Sequence, residues 1–150
     1  MLKWNAQMQV VSIEQVQDFL NSQSADTELE IHRLPKGTHL PELPSTLKKL
    51  AVIGCASLIE LPALPPSLDE LYIADCPELT ALPELTQGLT YVHLVNLPRL
   101  SSLPNFPESL RIFLSVDCRG LHKDAEERKL RLVTTTLIAW RRETTTAPGN

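Results

Sequence analysis

A repeat solenoid, α/β by content and mostly β, is the fold class that this 150-residue chain predicts. Three observations carry it. Leu40-Pro41, Leu61-Pro62, Leu82-Pro83 and Leu103-Pro104 stand 21 residues apart. From each of these anchors apolar residues recur at the same offsets: Leu47, Leu50, Val52 and Leu58, then Leu68, Leu71, Ile73 and Leu79. The third copy has Leu89, Val92, Leu94 and Leu100, and the fourth has Leu110, Phe113 and Leu121. One further offset carries Cys55, Cys76 and Cys118, with Leu97 in the third copy. The four copies follow one another without gap or insertion, so each is one coil that buries its apolar side against its neighbours.

A period of about 20–29 residues with leucines at this spacing is the mark of a leucine-rich repeat. The elements follow in order. Ser12-Ile13-Glu14-Gln15 has the form of a capping box, with Val16, Phe19 and Leu20 at helical spacing after it. A helix over Ile13–Ser22 is expected, within an N-terminal helical cap spanning 1–27. Stepping back 21 residues from the first full repeat aligns Leu29, Ile31 and Leu34 with Leu50, Val52 and Cys55. That exposes a fifth strand. About five parallel strands are expected, at 28–32, 49–53, 70–74, 91–95 and 112–116, with alternate residues turned into the core.

The return side of each coil is the L-P-x-L-P segment. Proline fixes φ near −65° and donates no hydrogen bond, so an extended, polyproline-like convex side is expected. The fourth repeat breaks the pattern. Ser115 takes the place of Val52, Ile73 and Leu94, while Ile112, Leu114 and Val116 occupy outward offsets. Either the strand slips by one residue and inverts its faces, or its outward face is covered. The repeats span 28–121. Beyond them, Leu130, Val133, Leu137 and Trp140 are spaced for a helix over about 124–142, within a C-terminal cap helix assigned to 122–143. Acidic residues near its start and Arg141 and Arg142 near its end suit the helix dipole. Thr134-Thr135-Thr136 speaks against it, since β-branched residues form helices poorly. Residues 144–150 are expected to be a flexible tail.

Composition narrows the function. No apolar run approaches the roughly 20 residues of a membrane span, and the N-terminus has no apolar core of a cleaved signal peptide. A cytoplasmic location in the producing cell is expected, with secretion into a host cell by a non-cleaved signal left open. Net charge is −2 over residues 1–39, −5 over 40–118 and +3 over 119–150. An acidic repeat body opposes phosphate backbones, so nucleic acid is not expected as a partner. The three cysteines share one offset, with no C-x-x-C pair and no histidine at zinc spacing. They read as a column of buried apolar thiols, with a Cys55–Cys76 disulfide between adjacent coils as the alternative. No metal and no cofactor is expected.

The outward offsets form rows across the sheet. One runs Glu28, Lys49, Glu70, Tyr91, Ile112, and the next runs Glu30, Ala51, Tyr72, His93, Leu114. A third runs His32, Ile53, Ala74, Val95, Val116, and a fourth, at the strand ends, runs Arg33, Gly54, Asp75, Asn96, Asp117. Glu28–Lys49–Glu70 reads as an alternating, solvated charge ladder. The candidate binding residues are Tyr72, Tyr91, His93, Ile53, Val95, Leu114, Asp75 and Asn96, on the concave strand face. Tyrosine combines large contact area with few rotors, which suits it to anchor a partner. A terminal cap or a second copy of the chain is the other candidate cover for this strip. Catalysis is not expected: His93 has Asp75 and Asn96 near it, but no serine or cysteine shares an outward offset. The phosphate-loop, H-E-x-x-H and G-x-S-x-G motifs do not occur.

The segments L-P-x-L-P-x-x-L-x-x-L-x-[VI]-x-x-C at 40–55 and 61–76 resemble the short LPX leucine-rich repeats of bacterial type III secreted effectors, the group that includes YopM and the IpaH-type ubiquitin ligases. Cysteine stands where those effectors usually carry asparagine. With C-P-x-L-T-x-L-P at 76–83, it is also similar to the repeats of plant NB-LRR immune receptors. The resemblance covers about 28–121 and implies a non-catalytic protein-recognition module that acts on host proteins in virulence. In the IpaH-type proteins a catalytic domain with a nucleophilic cysteine follows the repeats. Only about thirty residues follow them here, and Cys118 lies inside the last repeat, so no residue of that motif is carried over. The alternative implied is the substrate-recognition part of a ubiquitin ligase system without its own catalytic domain.

Overall fold

The computed structural model describes residues 27–34, 36, 37, 39, 40, 42–121 and 137–141. Six strands lie in one sheet in chain order: β1 (Thr27–His32), β2 (Leu47–Ile53), β3 (Glu70–Ala74), β4 (Tyr91–Val95), β5 (Ile112–Val116) and β6 (Leu137–Arg141). β1 to β5 are parallel, which makes a mostly β solenoid of about four turns. From Glu28 onward each paired residue of β1 to β4 meets the one 21 positions later, as in Glu28↔Lys49↔Glu70↔Tyr91↔Ile112, while Thr27 pairs with Leu47 across a register shift. The hidden first strand is present, and all five strands sit where the leucine spacing puts them.

Alternation along each strand makes the core. Leu29 and Ile31, Leu50 and Val52, Leu71 and Ile73, Val92 and Leu94 turn inward and are fully buried, as are Phe113 and Ser115. A buried leucine contributes roughly 1.5–3 kcal/mol, so a stack of them holds thin coils together without α-helical packing. Phe106 supports the last coil from the return side, its ring centroid 5.0 Å from that of Phe113.

The return segments carry neither strand nor α-helix and turn at two fixed places. Before each of β2 to β5 a leucine N–H reaches back three residues: Leu47 to Pro44, Leu68 to Pro65, Leu89 to Thr86 and Leu110 to Pro107, all at 3.1 Å. After each strand Leu58, Leu79, Leu100 and Leu121 donate likewise to the carbonyls of Cys55, Cys76, Leu97 and Cys118, at 3.0–3.2 Å. Proline at the first kind of turn loses nothing, because its carbonyl is what the turn uses. A short second ladder runs along the convex side, from Thr80 N–H to the Ile59 carbonyl and from Ser101 N–H to the Thr80 carbonyl.

The cysteine column is inward, buried and unbridged. Each thiol donates to the carbonyl two residues back: Cys55 to Ile53 at 3.7 Å, Cys76 to Ala74 at 3.3 Å and Cys118 to Val116 at 3.4 Å. Each sulfur also faces a backbone N–H of the preceding coil, from Leu34 and Arg33 for Cys55, Cys55 for Cys76 and Leu97 for Cys118. A thiol can donate and accept at once, which a leucine cannot.

At the fourth repeat the register holds. Leu94↔Ser115 and His93↔Leu114 pair without a slip, so Ser115 is buried and Ile112, Leu114 and Val116 face outward. The cap helix expected over 124–142 is corrected over its last turns, where Leu137–Arg141 forms β6, antiparallel to β5 from Ile112↔Arg141 to Val116↔Leu137. The edge of β5 presents backbone groups that need partners, and Leu137–Arg141 supplies them. That long-range demand outweighs the helical spacing of Leu130, Val133, Leu137 and Trp140. The remainder of that helix, the N-terminal helix at 13–22 and the tail at 144–150 lie outside the described residues. Among the described residues there is no α-helix, and none long and apolar enough to cross a membrane.

Two substitutions test the packing. The Ser115 hydroxyl is buried with no hydrogen-bond partner among the described residues. Ser115→Val, which restores the repeat's own choice, is expected to raise unfolding free energy by about 1–2 kcal/mol in a urea titration. A Cβ on Gly120 would lie 2.4 Å from the Leu100 carbonyl oxygen. Coil meets coil there through backbone, so Gly120→Ala is expected to destabilise by about 2–3 kcal/mol in the same titration.

Candidate binding face

The outward residues of β2 to β5 stand on a rigid frame, because their backbone groups are tied on both sides by the ladder. Successive outward rows then take their chemistry from the sequence. Lys49 sits between Glu28 at 3.1 Å and Glu70 at 3.9 Å. Its hydrogen bond to Glu28 raises its pKa against the opposing effect of burial, with Glu70 adding to the rise. The alternating charge ladder is therefore formed as read from the sequence. Such partly exposed pairs contribute little stability. Beside it, Glu30 and His32 bond to each other within β1.

Next comes the aromatic cluster. Tyr72 pairs across the ladder with His93, which pairs with Leu114. The Tyr72 and His93 rings meet edge to face at 5.2 Å and 73°, and Tyr91 meets His93 at 6.3 Å and 86°. Such T-shaped contacts align positive ring edges with negative faces and add roughly 0.5–1.5 kcal/mol beyond area burial. All three rings are half-buried. Burial raises both tyrosines, with Asp75 adding to Tyr72 and Glu70 to Tyr91. Burial also lowers His93, so its ring is neutral at physiological pH.

The strand ends form a separate line. Arg33, Gly54, Asp75, Asn96 and Asp117 all adopt positive φ, between 48° and 67°. Each of the first four donates its N–H to the next strand: Arg33 to Ile53, Gly54 to Ala74, Asp75 to Val95 and Asn96 to Val116, at 2.8–3.1 Å. Asn96 Nδ2 donates to Asp75 Oδ1 at 2.8 Å. This left-handed row was not foreseen, although glycine, aspartate and asparagine are the residue types that tolerate it. Arg33 carries no such signal. An open hollow of about 620 Å³ lies along the row, lined by Asp75, Val95, Asn96, Pro98, Asp117 and Arg119.

The eight candidate residues thus divide. Tyr72 and Tyr91 both meet the His93 ring, with Leu114 next in register to His93. Asp75, Asn96 and Val95 gather at the hollow. Ile53 stands apart, separated from Val95 by the buried Ala74. No hydrogen bond joins His93 to Asp75, whose Oδ1 is taken by Asn96. Ser115 and the three cysteines face the core. No group of three or more His, Cys, Asp or Glu among the described residues is placed to hold a metal ion.

No protein-family model, curated protein or solved structure matches this chain.

The neutral state of His93 is open to titration. Its NMR midpoint is expected below the ordinary 6.5, because burial disfavours the imidazolium. The unfolded chain then binds more protons than the folded one just below pH 6.5. Stability consequently falls as pH drops through 6.5 toward the folded midpoint. Tyr72→Ala, which uncovers the ring, is expected to move the midpoint back up. A wild-type midpoint at or above 6.5 would contradict the assignment.

Proposed function

We propose that this chain is a non-catalytic protein-binding module of leucine-rich-repeat type that docks a partner protein on its outward strand face. The observation that carries the reading is the Tyr72–His93–Tyr91 cluster, three half-buried rings in edge contact on successive parallel strands. Rings so held lose little further rotamer freedom on binding, and aromatic anchors of this kind account for most of the energy of many interfaces. The apolar outward positions of β5, Ile112, Leu114 and Val116, extend the same face. The sequence resemblance to LPX repeats of bacterial effectors supports a role on a host protein, reached by secretion. It also supports a host partner in preference to a second copy of the chain.

The test is affinity capture from host lysate with wild type and a Tyr72→Ala/Tyr91→Ala double mutant, both checked by urea titration to be folded under the capture conditions. Loss of two anchors is expected to reduce recovery of the specific partner by roughly tenfold or more. Equal capture of the same proteins by both would sink the assignment of this face.

A further inference from the structure

The sulfur column holds two thiols as neighbours and a third alone. Cys55 and Cys76 stand at the same offset of adjacent coils, two residues beyond the paired Ile53↔Ala74. The Ala74 carbonyl takes the Gly54 N–H at 2.9 Å and the Cys76 thiol at 3.3 Å, which draws the Cys76 sulfur to the start of Cys55. Register thereby sets the two thiols side by side in adjacent coils, close enough for each to shift the other's titration. Adjacent parallel strands lie about 4.8 Å apart, inside the Cα separation of about 4.4–6.8 Å that disulfides span. Cys118 likewise donates its thiol to the carbonyl two residues back, but Leu97 occupies the same offset of the coil beneath it.

We propose that Cys55 and Cys76 are an oxidisable pair, closed to a disulfide by a peroxide, while Cys118 stays a thiol. This goes beyond the binding role. The Cys55 sulfur attacks one peroxide oxygen as thiolate, the O–O bond breaks, and Cys55 becomes a sulfenic acid as alkoxide or hydroxide leaves. The Cys76 sulfur then attacks the Cys55 sulfur, an S–S bond forms, and the departing hydroxide takes the Cys76 proton as water. Two thiols and one peroxide give one disulfide, one alcohol or water, and one water. Contact with Cys76 and the N–H groups of Leu34 and Arg33 favour the Cys55 thiolate, lowering its pKa to about 7, while contact with Cys55 and burial push Cys76 up. Attacker and resolving thiol are thereby distinguished. The bond would tie together the coils that carry Ile53 and Tyr72.

Exposure predicts the opposite order, because Cys118 is 4% exposed against 1% for Cys55 and 0% for Cys76. The full folded chain is treated with hydrogen peroxide, alkylated and cleaved after glutamate, which isolates Cys55 in 43–60, Cys76 in 71–78 and Cys118 in 109–126. The expected product is 43–60 joined to 71–78, lighter by two hydrogen atoms than the reduced pair and separated by dithiothreitol, with 109–126 alkylated. In the urea-unfolded chain the same treatment is expected to spread linkage over all three pairings. In Cys76→Ala, dimedone is expected to label 43–60. Oxidation of Cys118 first would overturn the proposal. So would single sulfinic peptides in place of the linked one, or three alkylated thiols under conditions that oxidise the unfolded chain.

Discussion

In-register pairing of each residue with the one 21 positions later is the constraint on which the rest of this structure depends. A parallel sheet needs a long crossover between strands, and here the crossover is not a helix but an extended return of about the same length in every coil. Because the returns are equal, the inward residues of one coil always meet those of the next. Leu50, Leu71 and Val92 form one continuous row of the core, and Val52, Ile73 and Leu94 another. A single residue gained or lost in a return would turn an apolar row outward across a whole strand. The two turns of each coil, both closed by a leucine N–H, hold that length.

The same register makes polar columns out of single residues. A cysteine at one offset is a small apolar side chain. Cysteines at the same offset of successive coils bridge backbone to backbone, since each sulfur meets an N–H of the coil before and each S–H meets a carbonyl of its own strand. Ser67 and Ser109 do comparable work on the strand-entry side, where their hydroxyls donate to the Leu47 and Leu89 carbonyls of the preceding coil at 2.7 and 2.8 Å. These bonds satisfy backbone groups that thin coils, lacking α-helices, leave without partners. Where a column ends, the chain changes strategy: beyond Cys118 the parallel stack stops, and β6 closes the edge of β5 from the opposite direction.

On the outward side the ladder converts spacing into a surface. The rows separate charge from aromatic rings and both from the left-handed strand ends. Lys49 is paired with both Glu28 and Glu70, leaving the Tyr72–His93–Tyr91 cluster as the chemically distinct part of the face. Its stiffness comes from below. The backbone that carries these rings is bonded to neighbours on both sides, and the inward residues between them are buried.

How much of this was legible in the chain follows from what is local and what is not. The five parallel strands, their faces, the outward rows and the inward cysteines were all determined by the sequence itself, because a repeat states its register through the recurrence of leucine and proline. The aromatic cluster was legible for the same reason, as Tyr72, His93 and Tyr91 occupy neighbouring outward offsets. Three things were decided only by tertiary structure. The strand at Ser115 could have slipped, and it was the ladder to Leu94 that kept it in register against its own apolar alternation. The left-handed conformation of Arg33 comes from its place in a row whose other members are glycine, aspartate and asparagine. Leu137–Arg141 became a strand because an unpaired sheet edge lay beside it. A helix satisfies its backbone within itself, so its spacing can be read locally. The need of a sheet edge for a partner belongs to another part of the chain, and only the folded molecule expresses it.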